Sequence, residues 1–133
     1  MTTILVVDDE PLIVMALEAA LQDEGYDVVT AANGRQGLER LRETPQPQLV
    51  LLDMMMPVMS GPAMLSSMAA DPALAGVPVI ILSSLPQESV RARVTNVATV
   101  LRKPYTADQV LAAIARVLGG SPTPGAGRPA GSG

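Results

Sequence analysis

The chain has 133 residues, 48% of them hydrophobic and only 2% aromatic, with 9 Lys+Arg against 13 Asp+Glu, no Cys and no His. That length suggests one domain with ample material for an aliphatic core, while the missing residues exclude disulfides, thiolate metal sites, a Ser-His-Asp triad, a zinc–histidine site and a phosphohistidine on this chain. A net charge of −4 argues against a chain-wide nucleic-acid footprint, and with no apolar run of spanning length and no basic leader region the expectation is a soluble cytoplasmic protein without direct membrane or nucleic-acid contact.

Along the chain, short apolar runs alternate with helix-like stretches. The runs are TILVV (3–7), DVVT (27–30), QLVLL (48–52), VPVIIL (77–82) and TVL (99–101). Runs so short and so rich in Val and Ile suit strands buried on both faces. Between them, residues 11–24 open on Pro11, carry Leu17 and Leu21, and stop at Gly25. Residues 35–43 carry Leu38 and Leu41, and residues 62–70 carry Met64, Leu65 and Met68. Residues 86–96 are polar and weakly periodic, and residues 107–118 follow a capping box of Thr106 and Gln109. Six of the eight methionines fall between 54 and 68, where adaptable packing beneath an irregular loop is expected. The order βαβαβαβαβα predicts an α/β domain over residues 1–118, a parallel sheet with helices on both faces. The stretch 119–133, GGSPTPGAGRPAGSG, has no aliphatic residue larger than Ala and is predicted to be a disordered tail rather than an effector domain.

In a parallel sheet every strand's carboxyl end lies at one edge, where ligands bind. Asp8, Asp9 and Glu10 follow the first strand; Ala32, Asn33 and Gly34 follow the second; Asp53 follows the third; Ser83 and Ser84 the fourth; Lys103 the fifth. Carboxylates gathered at one edge repel and lose hydration unless a cation joins them. Oxygen ligands without His or Cys favour a hard ion, and Mg²⁺ over Ca²⁺ when few carboxylates are offered. The competing reading of Asp8 and Asp9 is a cap for the helix opening at Pro11; that of Ser83, a helix N-cap, suits Ser84 better. Asp53 at a strand tip can act as a nucleophile on phosphorus, giving an acyl phosphate. Lys103, the only lysine, is a compact charge suited to a single phosphoryl oxygen, and Ser83 could donate to an added phosphoryl group.

The motifs VVDDE (6–10), LLDMMMPVMSG (51–61), Ser83 and KPY (103–105) occur in this order, each at a strand's end. Together they resemble the response-regulator receiver domain, the phosphoacceptor of two-component signalling, over about residues 3 to 118. The resemblance implies a flavodoxin-like sheet of order 2-1-3-4-5. It implies that Asp53 is phosphorylated, with Asp9 a direct Mg²⁺ ligand, Asp8 acting mostly through metal-bound water, and the Met55 backbone carbonyl completing the protein's share. Lys103 would pair with Asp53 and then with the phosphoryl group; Ser83 would be the switch hydroxyl, and a cis bond often precedes the residue matching Pro104. The implied partners are a sensor histidine kinase or histidine phosphotransfer protein and a downstream protein target. Two departures stand out. Val100 occupies a position that is commonly Tyr or Phe, and the stretch from Ser83 to Lys103 is short, which implies a reduced or irregular fourth helix.

The expected function is therefore a stand-alone phosphoacceptor that signals by protein contact and is not an enzyme in its own right. A pseudo-receiver is opposed by the intact Asp8, Asp9, Asp53, Ser83 and Lys103. A Mg²⁺-dependent aspartyl phosphatase would place Asp-x-Asp after the first strand and carry a cap insertion. A flavin-binding flavodoxin would not put DDE where a phosphate must sit.

Overall fold

The computed structural model describes residues 2–94 and 97–119. Five strands and five helices alternate: β1 (Thr3–Val7), α1 (Pro11–Asp23), β2 (Asp27–Ala31), α2 (Gly34–Leu41), β3 (Leu49–Asp53), α3 (Gly61–Ala70), β4 (Val79–Ser83), α4 (Gln87–Arg91), β5 (Thr99–Arg102) and α5 (Ala107–Gly119). The strands form one parallel sheet of order β2-β1-β3-β4-β5, the flavodoxin-like order. Every residue of β1, β3 and β4 is buried. Successive side chains take opposite faces, so the unbroken apolar runs supply two cores. Leu5, Val7, Val50, Leu52, Val79 and Ile81 meet Leu38, Leu41, Met64 and Met68 of α2 and α3 on one face. On the other, Ile4, Val6, Leu49, Leu51, Ile80 and Leu82 meet Leu17, Leu21, Val110 and Ile114 of α1 and α5.

The structure differs from the sequence reading in three places. β2 and β5 are edge strands and only partly covered, so their apolar runs are not buried on both faces. β3 and β4 start later than expected and end on Asp53 and Ser83 themselves; Pro78 has no N–H for a ladder, and only its carbonyl is used, by Val50 N–H at 3.0 Å. The pattern over 86–96 overstates the fourth helix, which is reduced to Gln87–Arg91, as the short stretch from Ser83 to Lys103 implied, and closes through Arg93 N–H to the Val90 carbonyl at 2.9 Å. Its buried anchors, Val90 and Val94, are too few to extend a packed face. The end of the helix read as 86–96, at 95–96, and the expected tail, apart from Gly119 at the end of α5, lie outside the described residues.

Local signals fix the ends of α1 and α5. Gly25, at φ +91°, follows the last turn of α1, with Gly25 N–H on the Gln22 carbonyl (3.0 Å) and Tyr26 N–H on the Leu21 carbonyl (3.1 Å). This is a Schellman closure, which needs a residue tolerant of the left-handed region. The capping box of α5 closes both ways: Thr106 N–H donates to Gln109 Oε1 (2.8 Å) and Gln109 N–H to Thr106 Oγ1 (3.1 Å). Among the described residues no helix is long and apolar enough to cross a membrane.

Candidate functional site at the carboxyl edge of the sheet

Parallel pairing of β1 with β3, in register from Ile4↔Leu49 to Val7↔Leu52, brings the residue after Val7 beside the residue after Leu52. Those residues are Asp8 and Asp53. With Asp9 they offer carboxylate oxygens all within 4.8 Å of one another. Asp8 and Asp53 are buried, at 2% and 6% exposure, and Asp9 is exposed. Lys103 reaches in from the end of β5, its Nζ 3.5 Å from Asp53 Oδ1 and 4.0 Å from both Asp8 Oδ2 and Glu10 Oε1. The Lys103–Pro104 bond is cis.

Each side chain is held by its own strand end. Asp8 N–H donates to the Ala31 carbonyl (3.1 Å), and Asp8 Oδ1 accepts from Glu10 N–H (2.9 Å) in an Asx turn. Asp8 therefore does not cap α1, whose N-cap position, Glu10, has no side-chain hydrogen bond. The Met55 N–H supports Asp53. Ser83, buried, accepts from Leu85 N–H on Oγ (3.0 Å), while its carbonyl accepts from Lys103 N–H (2.7 Å). Neither serine caps α4, whose N-cap is Pro86.

Burial dominates the electrostatics. Desolvation pushes the Asp8 carboxyl up to about 6, helped by the charge of Asp53 and opposed by the Glu10 N–H and Lys103. Desolvation also raises Asp53, against the pull of Lys103 and of the Met55 N–H. The Tyr105 hydroxyl is pushed up to about 12 by burial and by the charges of Asp8, Asp53 and Glu10. Asp8 Oδ2 is buried without a hydrogen-bond partner, which is costly for a polar atom. One ammonium faces the carboxylates of Asp8, Glu10 and Asp53, with Asp9 beside them. An oxygen-only cluster with an orphaned buried carboxylate oxygen fits a hard divalent cation.

The structure thus brings Asp8, Asp9, Asp53 and Lys103 together. Ser83 ends the neighbouring strand, one residue beyond Leu82, the register partner of Asp53. Met55 lies two residues past Asp53 with its side chain exposed.

Two contributors escaped the sequence reading. A Cβ on Gly61 would lie 2.6 Å from the Asp53 carbonyl oxygen and 3.0 Å from Met54 Cα, so only glycine lets α3 begin against the strand end that carries Asp53. Gly61 stood inside a quoted motif, but its spacing does not reveal the close approach. Gln87 Nε2 donates to the Val100 carbonyl (2.9 Å), tying the start of α4 to edge strand β5. A polar residue one position past Pro86 carries no signal for that contact.

The profile described as "Response regulator receiver domain" matches residues 4–115. PilH of Pseudomonas aeruginosa is 33% identical over 122 residues, spanning 90% of this chain and 100% of PilH. The transcriptional regulatory protein KdpE of Mycobacterium tuberculosis is 38% identical over 114 residues, 84% of this chain. The chain spans about half the length of KdpE and of RpaA from Synechocystis (49% of each). The structure of the chemotaxis response regulator CheY4 of Vibrio cholerae superposes with a TM-score of 0.81 at 27% identity, covering 88% of this chain and 98% of that one. The sheet order, the clustered carboxylates and these likenesses agree: the chain belongs to the response-regulator receiver family.

Proposed function

We propose that the chain accepts a phosphoryl group on Asp53 in the presence of Mg²⁺ and passes the signal on by protein contact. The observation that carries this is the pairing of the buried Asp53 with the Nζ of Lys103 at 3.5 Å, beside a second buried carboxylate whose Oδ2 lacks a partner. Asp8, Asp9, Asp53 and the Met55 carbonyl would hold the ion, which supplies charge neutralisation for the incoming phosphoryl oxygens.

The chain's own residues do the rest. An Asp53 carboxylate oxygen forms the new O–P bond as the donor's bond to phosphorus breaks, and the donor leaves with the electron pair. Lys103 neutralises the product without moving a proton, because its ammonium exchanges a carboxylate neighbour for a phosphoryl oxygen. Ser83 turns its hydroxyl hydrogen toward the phosphoryl group while Oγ keeps a lone pair for Leu85 N–H. The donor is a phosphorylated sensor histidine kinase or histidine phosphotransfer protein, and the output is a further protein. A cytoplasmic location goes with that chemistry.

Incubation with acetyl phosphate, with and without Mg²⁺, followed by intact mass measurement tests the reading. One added phosphoryl group that requires Mg²⁺ is expected. No addition would favour a pseudo-receiver that works by contact alone; steady release of inorganic phosphate from many substrates would favour a phosphatase.

A further inference from the structure

Glu10 has no task in the reading above, yet it is tied to the site through both its backbone and its side chain. Its N–H donates to Asp8 Oδ1 at 2.9 Å. It occupies the N-cap position of α1, where a short polar side chain commonly accepts from the first turn, but its own side chain makes no such bond. Its Oε1 lies instead 4.0 Å from Lys103 Nζ, the same ammonium that Asp53 Oδ1 meets at 3.5 Å. The Glu10 side chain is 62% exposed, while Asp8 and Asp53 are buried. Glu10 therefore stands at the mouth of the carboxylate cluster and not inside it.

The charges around it close without Glu10. Asp8, Asp9 and Asp53 carry three negative charges when ionised. The divalent cation that they would hold and the Lys103 ammonium carry three positive ones, so the Glu10 carboxylate is surplus. Nothing on its own flank offsets it: residues 1–34 hold seven Asp and Glu and no Lys or Arg. Any phosphoryl donor must bring an anion to Asp53, beside this carboxylate. Repulsion between like charges grows with the product of the charges, and the field at a cleft sets how often charged reactants arrive.

We propose that Glu10 is a specificity-determining residue that selects phosphoryl donors by charge. It slows transfer from small dianionic acyl phosphates. It favours donors with a cationic group beside the phosphoryl group, such as a protein whose Lys or Arg can meet the carboxylate. The proposal rests on the phosphoacceptor reading, and Glu10 touches neither metal nor phosphoryl group. A plain acidic charge at the start of α1 would instead stabilise the helix through its dipole and leave donor preference untouched.

Two small donors separate these roles. Acetyl phosphate is a dianion near neutral pH; on transfer its P–O bond breaks and acetate leaves with the electron pair. Phosphoramidate bears an ammonium on phosphorus and a single net negative charge; its P–N bond breaks and ammonia leaves with the electron pair. Glu10→Gln keeps the backbone N–H on Asp8 and removes only the charge. In saturating Mg²⁺ and about 20 mM salt, with rates read by intact mass, it should speed phosphorylation about 4-fold with acetyl phosphate and about 2-fold with phosphoramidate, because the repulsion scales with the donor's charge. In about 1 M salt, where the Debye length falls to about 3 Å, both gains should vanish. Glu10→Asp, which keeps the charge, should stay within about twofold of wild type, well short of the Glu10→Gln gain with acetyl phosphate. Mg²⁺ affinity, read by calorimetry, should weaken by no more than about 3-fold in Glu10→Gln, as for a charge near the ion that does not touch it. Equal gains with the two donors, gains that survive high salt, or a Glu10→Asp protein that behaves like Glu10→Gln overturn the proposal. Unchanged rates with only a shifted thermal midpoint overturn it too, as does a loss of Mg²⁺ affinity of about 30-fold or more, which would make Glu10 a ligand. No transfer to the wild type from either donor sinks the phosphoacceptor reading and this proposal with it.

Discussion

The Nζ of Lys103 lies 3.5 Å from Asp53 Oδ1, across the sheet edge from the end of β5 to the end of β3. It also lies 4.0 Å from Asp8 Oδ2, so one ammonium serves two buried carboxylates. Burial raises both carboxyls, and the one ammonium they share offsets that only in part. The cluster could therefore take a further cation, which would offset the remaining charge.

Lys103→Met should remove the ammonium that faces both carboxylates and destabilise the fold at pH 7 by about 1–3 kcal/mol, below the 3–5 kcal/mol typical of a broken buried pair because the carboxyls can take up protons. The loss should shrink toward pH 5, as they do so. Lys103→Arg keeps the charge on a planar fork ill-suited to a single-oxygen contact. It should allow phosphorylation but weaken the response of residues 83–94, read as amide chemical-shift changes. A wild-type response in Lys103→Arg would count against the role given to the ammonium.

Asp8 sets a pH dependence with a definite sign. Its folded pKa is about 6 against an ordinary 3.8, so between those values the folded state holds the proton more tightly than the unfolded state. Stability from this group is full below about pH 4 and is lost as pH rises toward 6. Asp53 is raised as well and acts in the same sense. In a metal chelator the thermal midpoint should fall from pH 4.5 to 7, other groups aside, and Mg²⁺ should restore it. Asp8→Asn, isosteric and uncharged, should stabilise the chelated protein at pH 7 by about 1–2 kcal/mol, since a tenfold change in proton affinity is worth about 1.4 kcal/mol. It should also blunt the Mg²⁺ effect. An Asp8→Asn protein less stable than wild type in chelator would contradict this.

Gly61→Ala should act on chemistry through geometry. The added methyl would meet the Asp53 carbonyl at 2.6 Å, so strand end and helix start must part. A cost of roughly 1–3 kcal/mol in stability is expected, in the range of overpacking, together with slower phosphorylation. Wild-type phosphorylation kinetics would show that the close approach does not set the Asp53 position.

The proposed switch would have an unusual anchor. Val100 is buried and carries no ring to swing, and its carbonyl is held by Gln87 at 2.9 Å. The loop from Ser83 to Gln87 is thus tethered at both ends, by Ser83 Oγ on Leu85 N–H and by Gln87 on Val100. A beryllofluoride mimic of the phosphoryl group should perturb amides of residues 54–60 and 83–94 more than those of 100–102. Gln87→Leu should raise beryllofluoride affinity about 2- to 10-fold, the worth of one net hydrogen bond, if the tether opposes the shifted state. Unchanged affinity would place the coupling elsewhere.

The parts legible in the sequence were those decided locally or by complete burial. β1, β3 and β4 read correctly as buried strands, β3 and β4 with shifted bounds, because covering both faces leaves an unbroken apolar run. The box of Thr106 and Gln109 read correctly because both partners lie within one turn. Asp8, Asp9, Asp53 and Lys103 were found together because a parallel sheet sends every strand end to one edge. What could not be read depends on contacts between distant segments. The exposure of β2 and β5 follows from the strand order, which the resemblance implied but no single run encodes. The shortness of α4 was implied by the short stretch from Ser83 to Lys103, but its bounds reflect how few of its residues find a buried partner. The close approaches at Gly34 and Gly61 and the tether from Gln87 to Val100 join residues whose spacing is unremarkable.

The most direct test is to trap the phosphoryl group where it forms. After acetyl phosphate and Mg²⁺, borohydride reduces an acyl phosphate to an alcohol, turning a phosphorylated aspartate into homoserine that peptide mass mapping locates. Homoserine at position 53 alone, absent from Asp53→Asn and from samples in chelator, is the predicted result. Homoserine elsewhere, or label that survives in Asp53→Asn, would contradict the account.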